Sequence, residues 1–357
     1  GQVSAITYLS TGATLNNSGT WVDQSNGNGG ISQYLGAASK FVNSGTYNKT
    51  GAGTTTISTA FNNSGAVNVQ AGTLSLSGGG VSTGNVQIGS AGTLAFTGGT
   101  YGLNAAGLSG TGTLLDNYGT VNLTGSTTFA GTLAVQNGTF NIADTLSLSG
   151  AYKQTGGTLG GDGNLLVTGG ATWVDGAMLG NGTTTFQGAL DMTAAGSREI
   201  RTRTVNTAGT TSYGLGQVGS ITYLSTGATL NNTGTWVDQS NANSAITQYL
   251  GAQSKFVNDG VYTKTGSGVT SLNSINYLNN GITEIHQGTI NLPNNFINPG
   301  TVQGVGTIGT NKFTNTGDLI VGDPLGSLSI TGSFAQLASG EISFDLSSPQ
   351  EHGLLLV

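Results

Sequence analysis

Three groups of residues in this chain have types and spacings that could do chemistry. The phrase Trp-Val-Asp occurs at Trp21-Val22-Asp23, Trp173-Val174-Asp175 and Trp236-Val237-Asp238. An indole beside a carboxylate can stack on a sugar ring and bond its hydroxyls. The same phrase on a strand can instead pack the indole within the fold and leave Asp at the next corner. All the arginines, Arg198, Arg201 and Arg203, fall in one seven-residue stretch, 197–203. As a strand, it puts Arg201 and Arg203 on the face of Glu199 and Arg198 on the face of Ile200. Such guanidinium groups suit an anionic glycan or phosphate, and equally a solvated edge paired to Glu199. The third group is carboxylates: Asp144 with Asp162, and Glu341 with Asp345, could stand about 5 to 9.5 Å apart as glycoside-cleaving pairs do.

Other motifs are weaker because the elements they need are missing. Gly80-Val-Ser-Thr-Gly84 has the form of a nucleophile elbow, which requires a strand, a turn and a helix. The stretches 214–219 and 304–309 fit G-x-G-x-x-G, which binds dinucleotides only when a helix follows. Gly160-Gly-Asp-Gly-Asn164 resembles half of a calcium-binding nonapeptide, but does not repeat every nine residues. His286 and His352 have no ligand-spaced company, so no metal and no cofactor is expected.

The elements that position these residues follow from a duplication. Residues 216–268 repeat 1–53 without a gap, with 41 of 53 positions identical. Beyond Gly53 the match loosens, with Asn62 against Asn279 and Gly72 against Gly288. Self-similarity over a long offset is the mark of an array.

Inside each copy a smaller phrase recurs: Gly, Thr, apolar, any, apolar. It stands at Gly72–Leu76, Gly92–Phe96, Gly119–Leu123, Gly131–Val135, Gly138–Ile142 and Gly288–Leu292. Alternation with period two is a strand with one buried face, so Leu74 should point inward. The glycine before it supplies a turn where positive φ is cheap. No window has useful helical periodicity, and the chain reads as all-β. The turn glycines Gly45, Gly65, Gly72, Gly92, Gly112, Gly119, Gly138 and Gly157 include steps of 19 or 20 residues again and again. That period fits one coil of a parallel β-helix better than a sandwich, whose turns come every 8 to 12 residues. At about 4.8 Å per coil, some 18 coils would make a rod roughly 85 Å long. Asn16, Asn43 and Asn62 could stack as amide ladders along it. The organisation expected is a first module over 1–215, a partial copy over 216–292, and divergent coils over 293–357, where all four prolines lie.

Composition narrows the function. Of 357 residues 63 are glycine, only 7% are charged, and the net charge is −6, so no basic surface awaits nucleic acid. Cysteine is absent, which rules out disulfides and thiolate zinc sites. No run of about 18 apolar residues predicts a membrane-spanning helix. The abrupt ends suggest a piece of a longer polypeptide.

With these residues in view, stretches 60–80, 172–190 and 197–216 resemble the repeats of bacterial autotransporter and filamentous-haemagglutinin-like surface adhesins. Residues 322–346 resemble a further phrase of such passengers, departing from it at Asp323-Pro324-Leu325-Gly326. The resemblance implies a right-handed parallel β-helix at the bacterial cell surface, with a structural or adhesive role and no family catalytic residues. Its partners would be a glycan or other cell-surface ligand, or further copies joined end to end or laterally. The alternatives are a self-assembling extracellular filament subunit and a polysaccharide-processing enzyme.

Overall fold

The fold is a right-handed parallel β-solenoid of about 17 turns, seen in a computed structural model that describes residues 5–216, 219–323, 325–348 and 351–357. Strands make up 62% of the chain, and the one helical element among the described residues is a 3-10 turn, Ala105–Gly107. Two compact units are formed, one running to Ala171 with Gly176–Thr183, the other Thr172–Asp175 with Thr184–Val357. These units are defined by packing, whereas the expected boundaries at 215 and 292 are defined by copying.

A coil is built from short strands separated by sharp corners, for example Thr46–Lys49, Thr54–Ile57 and Ala60–Asn63. The five-residue phrases stack in register: Thr73–Leu76 lie beside Thr93–Phe96, these beside Thr113–Asp116, and these beside Thr132–Val135. The apolar positions of the phrase point inward, Leu74, Leu94, Val121, Leu133 and Phe140 being buried, while the leading threonines stay half-exposed. Alternation therefore sets the phase, as period two requires.

The glycine that opens the phrase does something other than expected. Gly72 and Gly288 do adopt positive φ, but at Gly119 the positive φ belongs to the preceding Tyr118, at 73°. What the glycines share is closeness to the neighbouring coil. A Cβ on Gly45, Gly65 or Gly84 would lie 2.0, 2.0 and 2.1 Å from the carbonyl oxygen of Gly19, Gly45 and Gly65 respectively. The corners stack glycine on glycine because no side chain fits between successive turns.

An inward asparagine ladder lines the corner after each such strand. In the first unit Asn17 Nδ2 donates to Asn43 Oδ1 at 2.7 Å, Asn43 to Asn63 at 2.7 Å, and Asn63 to the Ser82 hydroxyl at 2.9 Å. In the second unit Thr207 donates to Asn232, and the ladder continues through Asn258, Asn279, Asn298 and Asn315 to Gln336. Each interior amide also donates to a backbone carbonyl of the following coil, as Asn258 does to Ile282 O at 2.8 Å. Of the asparagines expected to stack, Asn43 is in this ladder. Asn16 and Asn62 are one residue out of phase and face outward, their places being taken by Asn17 and Asn63. The structural counterpart of Asn279 is accordingly Asn63.

Ladder steps measure the coils. Coils of 19 or 20 residues run from Asn43 to Ser82. The coil from Asn17 to Asn43 takes 26 residues, and those through Asn232 take 25 and 26. In the Asn17 coil the excess is one loop: residues 32–39 stand where the next coil has only 58 and 59. The Gln33 side chain clamps that loop, donating to Leu35 O and Ala37 O, both at 3.1 Å, and accepting from Ser39 N at 2.7 Å. Gln248 repeats all three bonds around 249–254.

Coils continue through the proline-bearing segment, where one shrinks to a ladder step of 17 residues. Pro324 and Pro349 lie outside the described residues. The last coil carries an antiparallel pair, Leu346–Ser348 with Glu351–His352, before Leu354–Leu356 rejoins the parallel stack.

Candidate functional site

The polar residues that the sequence brings together meet inside the coils. In the strand Thr235–Ser240, Trp236 and Asp238 both point inward and are fully buried. Asp238 is opposite Lys264 of the next coil. Its Oδ1 lies 3.6 Å from Lys264 Nζ and accepts from Ser240 N at 3.0 Å. Its Oδ2 accepts from the Tyr262 hydroxyl at 2.6 Å and from Thr270. Lys264 Nζ donates onward to Ser240 O at 2.9 Å. Burial pulls the Lys264 pKa below the ordinary lysine value, and the Asp238 charge resists that shift. Burial, with the Asp238 charge added, raises Tyr262 far above the ordinary phenol. The arrangement is a salt-bridged knot tying two coils together, closed to solvent.

The first copy places the same residues differently. Asp23 is buried and accepts from the Tyr47 hydroxyl at 2.9 Å and from Ser25 N at 3.0 Å. Burial alone would raise its pKa, but the hydrogen bonds outweigh it and hold the carboxyl below the ordinary value. Lys49 turns to the carbonyls of Ser25, at 3.1 Å, and Gly51. Trp21 stacks at 6.5 Å on Tyr47 and 5.5 Å from Phe41, yet remains half-exposed. Beside it opens a cavity of about 210 Å³, bordered by Ala5, Thr7, Asp23, Gly30 and Thr55.

The surface role considered for these residues therefore needs correction. Trp173 and Trp236 are buried and offer no ring face to a sugar. Asp238 is buried too, and only Asp175 of the three aspartates is exposed. Arg198 is buried as its shared face with Ile200 predicts, its guanidinium donating to the carbonyls of Trp173, Met192 and Ala194 at 2.6, 3.1 and 2.8 Å. Burial lowers its pKa, opposed by nearby Tyr213, Asp175 and Asp191. Arg203 was expected beside Arg201 and is not there. Thr202, at φ 58°, reverses the alternation, so Arg203 turns inward and donates to Thr184 Oγ1 at 2.8 Å. Arg201 alone reaches the surface, bonded through two nitrogens to Glu199 at 2.9 and 3.0 Å.

The remaining motifs also resolve into structure. Ser82 is buried in the asparagine ladder. Gly304, Gly306 and Gly309 lie in the strands Thr301–Gly304 and Gly306–Gly309, with no helix after them. For the other dinucleotide-like stretch, Gln217 and Val218 lie outside the described residues. Asp144 and Asp162 accept backbone bonds from Gly125 N, at 2.7 Å, and Asn181 N, at 2.9 Å, each from a neighbouring coil. Glu341 accepts from Ser343. His286 stands 3.2 Å from Glu284. Among the described residues no three His, Cys, Asp or Glu side chains converge as a metal site would need.

Sequence reasoning missed one residue that the phrase itself marks. In Gly112-Thr-Leu-Leu-Asp116 an aspartate occupies the inward fifth position. Asp116 is fully buried between Phe96 and Val135, with neither carboxylate oxygen hydrogen-bonded by strict geometry. Burial pushes its pKa up to about 7, against some help from the Gly119 backbone. The fifth position of the phrase also holds Asp23, Lys49, Asp238 and Lys264, so a charge there was the signal for these buried groups, though not for Arg198 or Arg203. No protein family, curated protein or solved structure matches the chain.

Proposed function

We propose that this chain is a non-catalytic β-helical stalk, a structural and adhesive part of a bacterial cell-surface protein of the autotransporter or filamentous-haemagglutinin kind. One observation carries the reading: the residue types best able to do chemistry are spent on joining coils. The buried Tyr–Asp bond, present in both copies, and the Lys264–Asp238 pair of the second stiffen the repeat and leave an outward face of threonine, asparagine and serine. Its export is part of the proposal and follows from the resemblance of the repeats. Contact with glycans or other surfaces falls to the loops clamped by Gln33 and Gln248, which expose Tyr34 with Leu35 and Tyr249 with Leu250. Exposed aromatic and aliphatic side chains on a rigid loop are suited to recognition, because little entropy is lost on contact.

Immuno-electron microscopy of source cells, with an antibody raised to residues 5–53, tests the reading. Label on surface fibres is expected. Label only in the medium would overturn the stalk and direct attention to polysaccharide cleavage.

A further inference from the structure

The cluster around Asp238 brings an amine and a carboxyl together where solvent does not reach. Neither side chain of the Asp238–Lys264 pair has exposed surface, and Nζ lies 3.6 Å from Oδ1. Reacting atoms stand about 3–3.5 Å apart when a bond begins to form, so a small rotation of the lysine side chain closes the gap. The strands that carry the two groups are fixed in register, residues 235–238 pairing with 261–264 position by position. The surroundings are aromatic. Trp236 packs on Tyr213 at 5.4 Å and on Tyr262 at 6.5 Å, and all three are buried.

Donors are divided unequally between the two carboxyl oxygens. Oδ2 accepts from the Tyr262 hydroxyl at 2.6 Å and from the Thr270 hydroxyl, whereas Oδ1, on the side of the amine, accepts from Ser240 N at 3.0 Å. Two hydroxyl donors on one oxygen stabilise the negative charge that collects there when a nucleophile adds to the carbon, as an oxyanion hole does. Burial lowers the Lys264 pKa against the pull of the Asp238 charge, and this brings the unprotonated, nucleophilic amine within reach. Nζ already donates to Ser240 O at 2.9 Å, an acceptor that an amide N–H in its place would keep.

We propose that Asp238 and Lys264 condense to an intramolecular amide, a covalent tie between two successive coils. The ammonium first passes a proton to the carboxylate, giving an amine beside a carboxylic acid. The Nζ lone pair adds to Asp238 Cγ, and the charge that develops on Oδ2 faces Tyr262 and Thr270. Collapse re-forms the C=O bond at Oδ2 and breaks the Cγ–Oδ1 bond. Oδ1 leaves as water with two of the three protons that began on Nζ, and nothing is oxidised or reduced. The product holds neither buried charge, and the desolvation that opposed the ion pair is relieved. In the first copy Lys49 Nζ turns instead to Ser25 O and Gly51 O, with no ion pair to Asp23 among the described residues, so the tie is assigned to the second copy alone. It would enclose residues 239–263 and keep them from being drawn out of the solenoid by pulling. The inference goes beyond the stalk reading and does not depend on it.

Mass spectrometry of the intact folded chain should give a mass one water below that of the sequence. Mass alone does not locate the loss, because Asp162-Gly163, Asp175-Gly176 and Asp259-Gly260 can each lose water as a cyclic imide. Trypsin does locate it. An acylated Lys264 is not cleaved, so peptides 204–255 and 256–312 should emerge joined as one branched species. Lys264→Arg keeps the cation and should restore the full mass. Tyr262→Phe removes one donor to Oδ2 and should slow the appearance of the branched peptide after refolding about a hundredfold, as loss of one oxyanion donor does. Circular dichroism checks that both variants keep the fold. Full mass after long incubation of the folded, unaltered chain, or release of 256–264 as a separate peptide, would overturn the proposal. So would a loss of water that survives in Lys264→Arg. Surface fibres could be labelled in every one of these cases, so failure of the tie is distinct from failure of the stalk.

Discussion

The two copies of the module differ little in sequence and much in what surrounds them. Trp236, Asp238 and Leu230 are buried, whereas Trp21 and Leu15 are half-exposed and Asp23 borders a cavity. Lys264 pairs with its aspartate at 3.6 Å, but Lys49 bonds backbone carbonyls instead. Among the described residues the second copy has a coil packed on each side and the first has one only. A solenoid module is therefore half a core. Its own residues choose which side chains face inward, and its neighbours decide how far those side chains are buried.

The sharpest way to break this comparison is to delete the same indole in both copies. Trp236→Ala removes a fully buried ring packed against Tyr213, Phe256 and Tyr262. A loss of about 3–5 kcal/mol is expected, as for other buried aromatic truncations. Trp21→Ala should cost less than half of that. Denaturant midpoints measure both, and equal losses would mean that neighbouring coils do not set burial energy.

The lysines come next. Lys264→Met leaves Asp238 buried without its cation and should cost about 3 kcal/mol or more. Lys49→Met removes a lysine that makes no ion pair within 4 Å of Asp23 among the described residues, so its effect should be smaller. Thermal unfolding of the two variants decides the order.

Asp116 sharpens the lesson from outside both copies, since it fills the slot of Asp238 without Tyr, Thr or Lys partners. Its folded pKa is raised to about 7 from 3.8. Between about pH 4 and pH 7 the unfolded chain has released this proton while the folded chain retains it. Stability therefore falls as pH rises through that window and levels off above it, with a slope up to about 1.4 kcal/mol per pH unit. Asp116→Asn should flatten the slope, and Asp116→Leu should raise the midpoint at pH 8. Unchanged profiles would place the carboxyl in contact with water.

Most of the architecture could be read from the chain because a coil repeats its own constraints. The Gly-Thr-apolar-any-apolar phrase specifies a strand, a face and a corner, and Leu74, Leu94 and Phe140 obey it. The period of 19 to 20 held wherever corners are tight. It failed where the Gln33 and Gln248 loops lengthen a coil, since a surface loop adds residues without altering the column of inward contacts, and also in the steps of 25 residues from Thr207 to Asn232 and 17 from Asn298 to Asn315. The site residues were harder to read. Trp-Val-Asp looks alike in three places, yet Asp175 is outward and Asp23 and Asp238 are inward. Trp173 is buried as Trp236 is, so the alternation breaks between Trp173 and Asp175, and nothing in the phrase itself marks the break. Arg203 escaped prediction because a left-handed threonine, Thr202, breaks the alternation, and no propensity rule anticipates a β-branched residue there.

The smallest expected difference tests the ladder itself. Asn258 accepts from Asn232 and donates to both Asn279 and Ile282 O, at 2.8, 2.9 and 2.8 Å. Asn258→Ala takes a partner from the Asn232 amide and from the Ile282 carbonyl, each a buried polar group worth about 1–3 kcal/mol when left unpaired, while Asn279 Oδ1 keeps its bond from the Thr283 hydroxyl. Asn17 makes two bonds and has no partner on its outer side among the described residues. Asn17→Ala strands only the Asn43 acceptor and the Thr46 carbonyl, and should cost about 1 kcal/mol less than Asn258→Ala. Denaturant midpoints of the two variants measure the gap, and equal losses would mean that the Asn17 rung is as fully paired as the Asn258 rung.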